Sequence, residues 1–416
     1  MIDLDKYAQN DFGVPFFTYD EWQKLRQENK TEGELHDGLE VILSSLKDFV
    51  ATKKPPLPID RPTKEKMQDS FMSLLNMDWR NAIRSDYDPT TVRNKFDEEV
   101  DIDYAISCGH NFNPVSNHFH CETRYTCGHD QAESSQWAWD NPYSQRFHSM
   151  MLYLFREFKG ESSDIDEHKY RSMFRLSGYV ATQFKPAVAK TLYEQEKARK
   201  VIDISCGWGD RLAGFYTSRL TEEYLGCDPN TETYNHYKNQ CLEYEELLNS
   251  PLFPTEITFT DHGDWFEVVG NKRVRIYNRP AEDIDWDTVC ETKHDLMFTS
   301  PPYFGIEKYA EGTDSEDMQS WKRYSEYAGW RDGFFYPVMD AMQRNCDKVM
   351  INIVDPVVKG KRNHIEKDIR ERYGISNIVG MSISRRPNGQ ENPEHYVVDG
   401  NKKLNFIEPI YVLDKP

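Results

Sequence analysis

The second half of the chain alternates short apolar runs with amphipathic stretches. The apolar runs are Val201–Ile204, Tyr224–Cys227, Val274–Tyr277, Leu296–Thr299, Val349–Val354, Ile378–Ile383 and Ile410–Leu413. Stretches with helical periodicity separate several of them, and the longest is Asn230–Leu248. Strands that alternate with helices predict an α/β fold, in which a mostly parallel sheet is covered on both faces. Ligands of such sheets lie at the carboxyl ends of the strands.

The first 160 residues have a different pattern. Helical spacing of apolar residues occurs in residues 16–50, 64–85 and 146–158. Thr31 and Glu34 fit a capping box within the first of these stretches. Prolines crowd residues 53–62, which predicts a connector without regular structure. Further on, Pro337 should kink or delay a core-facing helix in the run Trp330–Cys346.

A glycine turn follows the first apolar run, in the sequence Asp203-Ile-Ser-Cys-Gly-Trp-Gly. Gly207 and Gly209 let the backbone bend sharply and approach a ligand closely. Asp228 follows the next run, where a carboxylate can accept hydrogen bonds from ribose hydroxyls. Position 212 is Leu, so the three-glycine dinucleotide fingerprint is absent, and no P-loop follows. With these two nucleotide-binding motifs excluded, the turn suits a nucleoside ligand without a pyrophosphate. A plain structural turn is the alternative interpretation.

The tetrapeptide Ser300-Pro301-Pro302-Tyr303 directly follows another apolar run. Two prolines fix φ and remove two amide donors, so the segment presents carbonyl acceptors in a rigid frame. Ser300 Oγ and the Pro301 carbonyl are suited to accept the two hydrogens of an exocyclic amino group and to stabilise charge that develops on its nitrogen. The Tyr303 ring offers a face on which a planar base can stack. A rigid surface turn is the alternative interpretation.

These motifs together carry a resemblance to a known family. From about Phe184 to the C-terminus, the chain resembles the S-adenosylmethionine-dependent amino-methyltransferases of the DNA N6-adenine and N4-cytosine type. Phe184-Lys-Pro186 is similar to the family's Phe-x-Pro element, Asp203–Gly209 to its glycine motif, and Asp228 to its ribose-binding acid. Thr299–Tyr303 resembles its catalytic motif in the serine form, which is commoner among cytosine-N4 enzymes without being exclusive to them.

The resemblance implies a cofactor, a fold and a set of site residues. It implies a Rossmann-like, seven-stranded, mostly parallel sheet with an antiparallel hairpin at its end, whose last strand is Ile410–Leu413. The implied catalytic residues are Ser300, Pro301, Pro302 and Tyr303. The implied residues for S-adenosylmethionine are Phe184, Pro186, Asp203, Ser205, Gly207, Gly209, Asp228, Glu282 and Asp283. The chain departs from the family pattern at Ser205-Cys206 and at Pro280, where an acid is expected.

Composition bounds the organisation and the partners of the chain. A chain of 416 residues is longer than one compact hydrophobic core usually accommodates. We therefore expect a mixed, partly helical accessory or target-recognition region at 1–160 and a methyltransferase domain at 170–416. A net charge of −19 argues against a generally basic nucleic-acid surface, although a local groove can still be basic. Ser384–Asn388 is a basic loop that either touches a phosphate backbone or is a plain turn.

Other features concern location and metals. The chain has no long apolar run, and its first residues do not resemble a signal peptide, so we expect a cytoplasmic protein with reduced thiols. Cys108, Cys121 and Cys127 lie among several histidines. A zinc site could use these cysteines and one histidine, but the spacing fits no standard finger, and we expect no metal.

A few aromatic and acidic residues allow two interpretations each. Trp137, Trp139 and Tyr143 suit either base stacking or core packing, and core packing is favoured because an apolar helix follows. Asn141-Pro142-Tyr143 lacks the second proline of the catalytic motif. Glu307 and Tyr309 either line a target pocket or belong to a solvated loop.

Three functional hypotheses follow. The first is methyl transfer to the amino nitrogen of cytosine (N4) or adenine (N6) in DNA. The second keeps the fold and the cofactor but places the methyl group on RNA, a protein side-chain amide or a small molecule, and the acidic net charge supports it. The third is a non-catalytic scaffold with the cofactor fold, whose partner surface is the N-terminal region.

Overall fold

The computed structural model describes residues 2–30, 38–85, 91–130, 132–157, 163–383 and 405–415. Its α-helices are α1 Tyr19–Glu28, α2 Leu39–Lys53, α3 Lys64–Asn76, α4 Pro114–Tyr125, α5 Ser135–Asp140, α6 Gln145–Leu154, α7 Glu167–Leu176, α8 Pro186–Gln195, α9 Asp210–Thr217, α10 Thr231–Leu248, α11 Trp286–Val289, α12 Ser320–Arg323, α13 Tyr327–Trp330, α14 Tyr336–Asn345 and α15 Ile365–Tyr373.

The strands follow the same chain order. They are β1 Ile83–Arg84, β2 Val92–Arg93, β3 Tyr104–Ile106, β4 Gly128–His129, β5 Lys200–Asp203, β6 Glu223–Cys227, β7 Thr258–Asp261, β8 Trp265–Val269, β9 Arg273–Tyr277, β10 His294–Thr299, β11 Glu307–Lys308, β12 Cys346–Asn352, β13 Val357–Val358, β14 Lys361–Arg362, β15 Ile375–Ser382 and β16 Asn405–Leu413.

The chain divides into two compact units. The smaller unit contains residues 1–61 and 121–182, and the larger contains residues 62–120 and 183–416. This division differs from the predicted boundary at residues 160–170, because residues 62–120 group with the sheet. The roles predicted for 1–160 and 170–416 remain predictions.

The smaller unit is helical and has its own apolar core. Trp22, Leu46, Trp139, Phe147 and Phe174 are buried together in it. Helix α1 begins with a capping box formed by Thr18 and Glu21. The capping box predicted at Thr31 and Glu34 lies outside the described residues.

The larger unit is built on one twisted sheet. Its strand order is β1-β3-β15-β16-β12-β10-β5-β6-β9-β8-β7, and β2 pairs with β16. Strands β12, β10, β5, β6 and β9 pair in parallel. Strand β16 runs antiparallel to both β12 and β15. The predicted Rossmann-like α/β sheet, with a terminal antiparallel hairpin that ends in β16, is confirmed.

The number of strands is larger than the predicted seven. The seven expected strands are β15, β16, β12, β10, β5, β6 and β9. An antiparallel hairpin, β7 and β8, extends the sheet beyond β9, and β3 and β1 extend it beyond β15. Because β7 is largely exposed, its sequence carries little of the apolar pattern on which the prediction depended.

Apolar side chains on the two faces of the sheet form separate cores. Val201 of β5 contributes to the core beneath α3, α8, α9 and α10. Its neighbour Ile202 contributes to the opposite core, beneath α14 and α15. Burial on both faces explains why these strands are continuous apolar runs rather than alternating ones.

The predicted irregularity at Pro337 is present. Helix α13 continues through a π-helical segment, Arg331–Phe335, into α14, whose first turn contains Pro337. A proline lacks the amide hydrogen of a regular helix, which is consistent with this widened turn. Among the described residues, no helix combines the length and the apolar character that a membrane span requires.

Candidate active site

Three loops meet at the carboxyl edge of β10, β5 and β6, which are neighbours in the sheet. The glycine turn follows β5, Asp228 follows β6, and Ser300–Tyr303 follows β10. The Ser205 hydroxyl donates to the Ser300 carbonyl oxygen at 2.9 Å. It also lies 2.7 Å from the Thr299 hydroxyl. The two motifs, which are far apart in sequence, therefore form one hydrogen-bonded site.

The Asp203 carboxylate lies beneath this site and organises it. It is fully buried. It accepts hydrogen bonds from Arg211 Nε at 2.8 Å, the Tyr224 hydroxyl at 2.7 Å, the Thr299 hydroxyl at 2.9 Å and the Ser205 amide at 3.2 Å. A carboxylate has about four acceptor positions, and these donors occupy them. Asp203 thus acts on the shape of the turn, and sequence reasoning did not identify its partners.

The two turn glycines serve different purposes. Both have positive φ, 58° at Gly207 and 70° at Gly209. A Cβ at Gly207 would meet no atom closer than 3.8 Å, so that face of the turn is open. A Cβ at Gly209 would collide with the Gln240 side chain. Gly207 therefore leaves space for a ligand, whereas Gly209 is required by packing.

His120 is linked to the glycine turn through the side chain of Gln240. Its Nε2 lies 2.9 Å from Gln240 Oε1, and Gln240 Nε2 donates to the Gly209 carbonyl at 2.9 Å. Burial lowers the pKa of His120 to about 3, so the ring is neutral and its Nε2 is the donor to Gln240. One histidine of the cysteine–histidine segment therefore has a structural partner.

Asp228, directly after the end of β6, also hydrogen-bonds to the glycine turn. Its carboxylate accepts from the Gly207 amide at 2.9 Å, the Asn230 amide at 2.9 Å and the Tyr237 hydroxyl at 3.3 Å. Burial raises the pKa of this carboxyl to about 6, although these hydrogen bonds oppose the shift. Roughly one of its four acceptor positions remains for a ligand.

In the tetrapeptide loop, hydrogen bonds hold the Tyr303 hydroxyl and the Ser300 carbonyl oxygen in position. Pro301 is buried, while Ser300, Pro302 and Tyr303 are partly exposed. The Tyr303 hydroxyl donates to Glu408 Oε1 of β16 at 2.9 Å. Sequence reasoning missed Glu408, because only the antiparallel course of β16 brings it to this edge.

Phe184 and Pro186 lie at the start of α8. The Phe184 ring packs edge-on against Phe298 of β10, with centroids 5.7 Å apart. The Arg211 guanidinium lies 5.4 Å from the centroid of the same ring. Pro186 is the first residue of α8, where its missing amide hydrogen costs no helical hydrogen bond.

Glu282 and Asp283 occupy a 3₁₀ turn after β9, Ala281–Asp283. Arg323 binds both Asp283 carboxylate oxygens, at 2.8 and 2.9 Å. Glu282 accepts from the Tyr324 hydroxyl at 3.0 Å, and burial raises its pKa. A cavity of about 560 Å³ adjoins the turn. It is lined by Asp264, Asn278, Arg279, Pro280, Asp283, Asp317, Met318 and Arg323.

The remaining candidates separate into packed and surface residues. Trp139 is buried, and its indole donates to the Pro55 carbonyl at 2.9 Å. Trp137 and Tyr143 are exposed. Tyr309 lies in ring contact with Trp208 of the glycine turn, at 5.7 Å between centroids. The loop Ser384–Asn388 lies outside the described residues.

All eight cysteines are free thiols. Within the part of the chain that the structure describes, no three His, Cys, Asp or Glu side chains converge as metal ligands. Burial raises the pKa of the thiols of Cys108 and Cys121. Neutral thiols are poor metal ligands.

Comparisons with known proteins add little to this geometry. No protein-family model matches the chain, and no curated protein matches its sequence. Among solved structures, TrmN from Thermus thermophilus is 10% identical with a TM-score of 0.32, over 56% of this chain and 49% of that one. The SAM-dependent O-methyltransferase from Thermotoga maritima is 11% identical with a TM-score of 0.30, over 59% and 70%. TehB from Haemophilus influenzae is 10% identical with a TM-score of 0.28, over 59% and 66%.

These likenesses carry no argument about activity or substrate, because the TM-scores are below 0.5 and the identities are low. The α/β sheet and the chemistry of its carboxyl edge therefore stand on the geometry of this chain alone.

Proposed function

We propose that the larger unit is an S-adenosylmethionine-dependent methyltransferase whose acceptor is an exocyclic amino nitrogen of a nucleic-acid base, cytosine N4 or adenine N6 in DNA. One observation carries the proposal. The hydrogen bond from Ser205 to the Ser300 carbonyl joins a glycine turn that suits a nucleoside to a loop that suits an amino group. A methyl donor and its acceptor must meet in this way, because transfer needs in-line contact.

The residues at the edge fit the cofactor. The open face of Gly207 lets a ligand approach the backbone. Asp228 retains an acceptor position for a ribose hydroxyl. The cavity beside Asp283 lies next along the sheet edge, after β9, and its volume of about 560 Å³ is sufficient for an adenine ring. Bound S-adenosylmethionine would supply a methyl group that its positive sulfur already activates.

The chain's own residues then have to bind and orient the acceptor. The Ser300 hydroxyl and the Pro301 carbonyl accept the two amino hydrogens, which favours a pyramidal nitrogen with an available lone pair. Ser205 holds the Ser300 carbonyl at 2.9 Å, so the loop keeps its position relative to the turn. A base in duplex DNA must leave the stack to reach this edge, at a cost of a few kcal/mol.

A second candidate keeps the fold and the cofactor but changes the acceptor to RNA, a protein side-chain amide or a small molecule. The net charge of −19 favours it, because binding to duplex DNA depends largely on neutralising phosphates.

A double substitution, Ser300→Ala with Tyr303→Ala, tests the proposal. We expect it to abolish methyl transfer to the nucleic-acid acceptor while calorimetry still detects S-adenosylmethionine binding. Tyr143→Ala is the matched control, since Tyr143 follows Asn141-Pro142 and is exposed in the smaller unit. Undiminished turnover by the double variant would refute the assignment of the loop. Cofactor binding without transfer by the wild type would favour a non-catalytic scaffold.

A further inference from the structure

A short hairpin, formed by β13 and β14, follows β12 at the carboxyl edge of the sheet. Its strands are joined by Lys359 and Gly360, which both have positive φ, 49° and 78°. Two such residues in succession are the pattern of a type I′ turn, whose twist matches that of a hairpin. The Asn363 amide donates to the Pro356 carbonyl at 2.9 Å and closes the base of the hairpin.

The hairpin packs against the chain that continues from the tetrapeptide loop. A Cβ at Gly305, two residues after Tyr303, would lie 3.1 Å from Val358 Cγ2, so Val358 closely approaches this chain. Val358 is paired with Lys361 across the hairpin, and directly opposed residues extend their side chains from the same face. The exposed residue Lys361 therefore stands on the face of the hairpin that meets the loop.

Arg362 anchors the hairpin to another segment of the larger unit. Its guanidinium donates to both carboxylate oxygens of Glu98, at 2.5 and 2.7 Å, and to Asp355 at 2.8 Å. It also lies 3.8 Å from the centroid of the Phe96 ring. A bidentate and stacked arginine holds its partners in a defined geometry. The hairpin is thus tied to the segment after β2.

The charge of the hairpin differs from that of the chain as a whole. The net charge of the chain is −19, yet residues 357–364 contain no acidic residue. The cationic residues at the tip, Lys359 and Lys361, are exposed. Arg362 neutralises the carboxylates that it binds at the base. A local positive tip on an acidic body concentrates the attraction for anions in one place.

We propose that the tip of this hairpin binds the phosphodiester backbone beside the acceptor base, with Lys359 and Lys361 each paired with a phosphate. This inference rests on the proposed function and adds the place where the strand is held. The phosphates of a nucleic-acid strand complement the charge of the tip, and the base that enters the tetrapeptide loop belongs to that strand. Such contacts fix the register of a strand without reading its sequence.

The double substitution Lys359→Asn with Lys361→Gln removes both charges, and asparagine tolerates the positive φ of the turn. Fluorescence anisotropy over a range of salt concentrations would measure binding to labelled duplex DNA, single-stranded DNA and RNA. Each neutralised phosphate contributes about 0.9 to the slope of log K against log salt for a duplex and about 0.7 for a single strand. The slope should therefore fall by roughly 1.8 or 1.4, with an unchanged Kd for S-adenosylmethionine.

Lys197→Asn with Lys293→Gln is the matched control. It changes the net charge equally, and Lys197 also has a positive φ, 54°. Both lysines are exposed and precede β5 and β10, at the opposite edge of the sheet. The control should keep the wild-type slope. Lys361→Gln alone leaves the turn untouched and should give half of the change, so it decides the test if the double variant does not fold.

The outcomes separate the two proposals. An active wild type whose salt slope is unchanged in the tip variant overturns the hairpin contact alone, and so does an equal fall in the control. A wild type that methylates no base, but whose nucleic-acid binding depends on the tip, overturns the proposed function and leaves the strand contact standing. A wild type that binds no nucleic acid overturns both. A tip effect seen with DNA alone or with RNA alone supports the contact and identifies the strand.

Discussion

Cofactor affinity should depend on pH through Asp228. The carboxyl is buried, with a pKa of about 6 in the ligand-free protein. A ribose hydroxyl that donates to it favours the ionised form, so its pKa is lower in the complex. Affinity is therefore full above pH 6 and falls as the pH drops through 6, by up to about tenfold per pH unit.

The substitution Asp228→Asn gives the size of the expected effect on cofactor affinity. A hydrogen bond to a charged group contributes about 1.5–3 kcal/mol, so its loss should weaken binding by roughly 10- to 150-fold at pH 8. The substitution also removes a buried ionised carboxylate, whose pKa shift from 3.8 to about 6 costs about 3 kcal/mol at neutral pH. Asparagine is a weaker acceptor for the amides of Gly207 and Asn230, which offsets part of this gain in stability. The thermal midpoint of the variant should therefore not fall.

Titration calorimetry from pH 5 to pH 8 measures both effects. The wild type should bind S-adenosylmethionine progressively more weakly below pH 6, and Asp228→Asn should bind weakly with a flatter pH dependence. Comparing the two slopes removes any titration of the ligand itself. Equal affinities of the two proteins at pH 8, or a wild-type affinity that is constant over the range, would refute the role given to Asp228.

Three other perturbations follow from the packing. Gly209→Ala should lower the thermal midpoint because its Cβ meets Gln240. Gly207→Ala should lower the free energy of unfolding by only about 1 kcal/mol, because of its positive φ, yet block cofactor binding. Equal thermal midpoints of the two variants would contradict this difference. Burial lowers the pKa of His120 to about 3, so below about pH 6.5 the unfolded chain takes up a proton that the folded chain does not. The folded state of the wild type should therefore lose stability as the pH falls below about 6.5. Denaturant melts at pH 5 and pH 7 should show that His120→Asn removes this contribution. Trp139→Ala should destabilise the smaller unit by about 3–5 kcal/mol, and a change below 1 kcal/mol in urea melts would show that the indole is not part of the core.

The apolar pattern predicted the central strands because both of their faces are buried. All five residues of β6 are buried, so this strand stands out from its surroundings. Edge strands gave a weaker pattern, since β7 is mostly exposed and β1 has only two residues. The hairpin at β7 and β8 was therefore missed.

Local motifs indicated the candidate site, but its supporting residues depend on tertiary contacts. Gly207 and the Ser300 loop can be found from residue type and from the strands that precede them. The Arg211 and Tyr224 partners of Asp203 lie on a helix and a strand, where their types suggest only packing. Glu408 follows from the antiparallel insertion of β16, which no local pattern contains.

A methyl-transfer assay shows whether the acceptor is a nucleic-acid base. The purified protein would be incubated with isotope-labelled S-adenosylmethionine and, in parallel, unmodified duplex DNA, single-stranded DNA and RNA, and the nucleosides analysed by mass spectrometry. We expect labelled N4-methylcytosine or N6-methyladenine from DNA. Label in RNA alone would favour the second candidate. No label in any nucleic acid, while the cofactor is bound, would contradict the claim that the acceptor is a base.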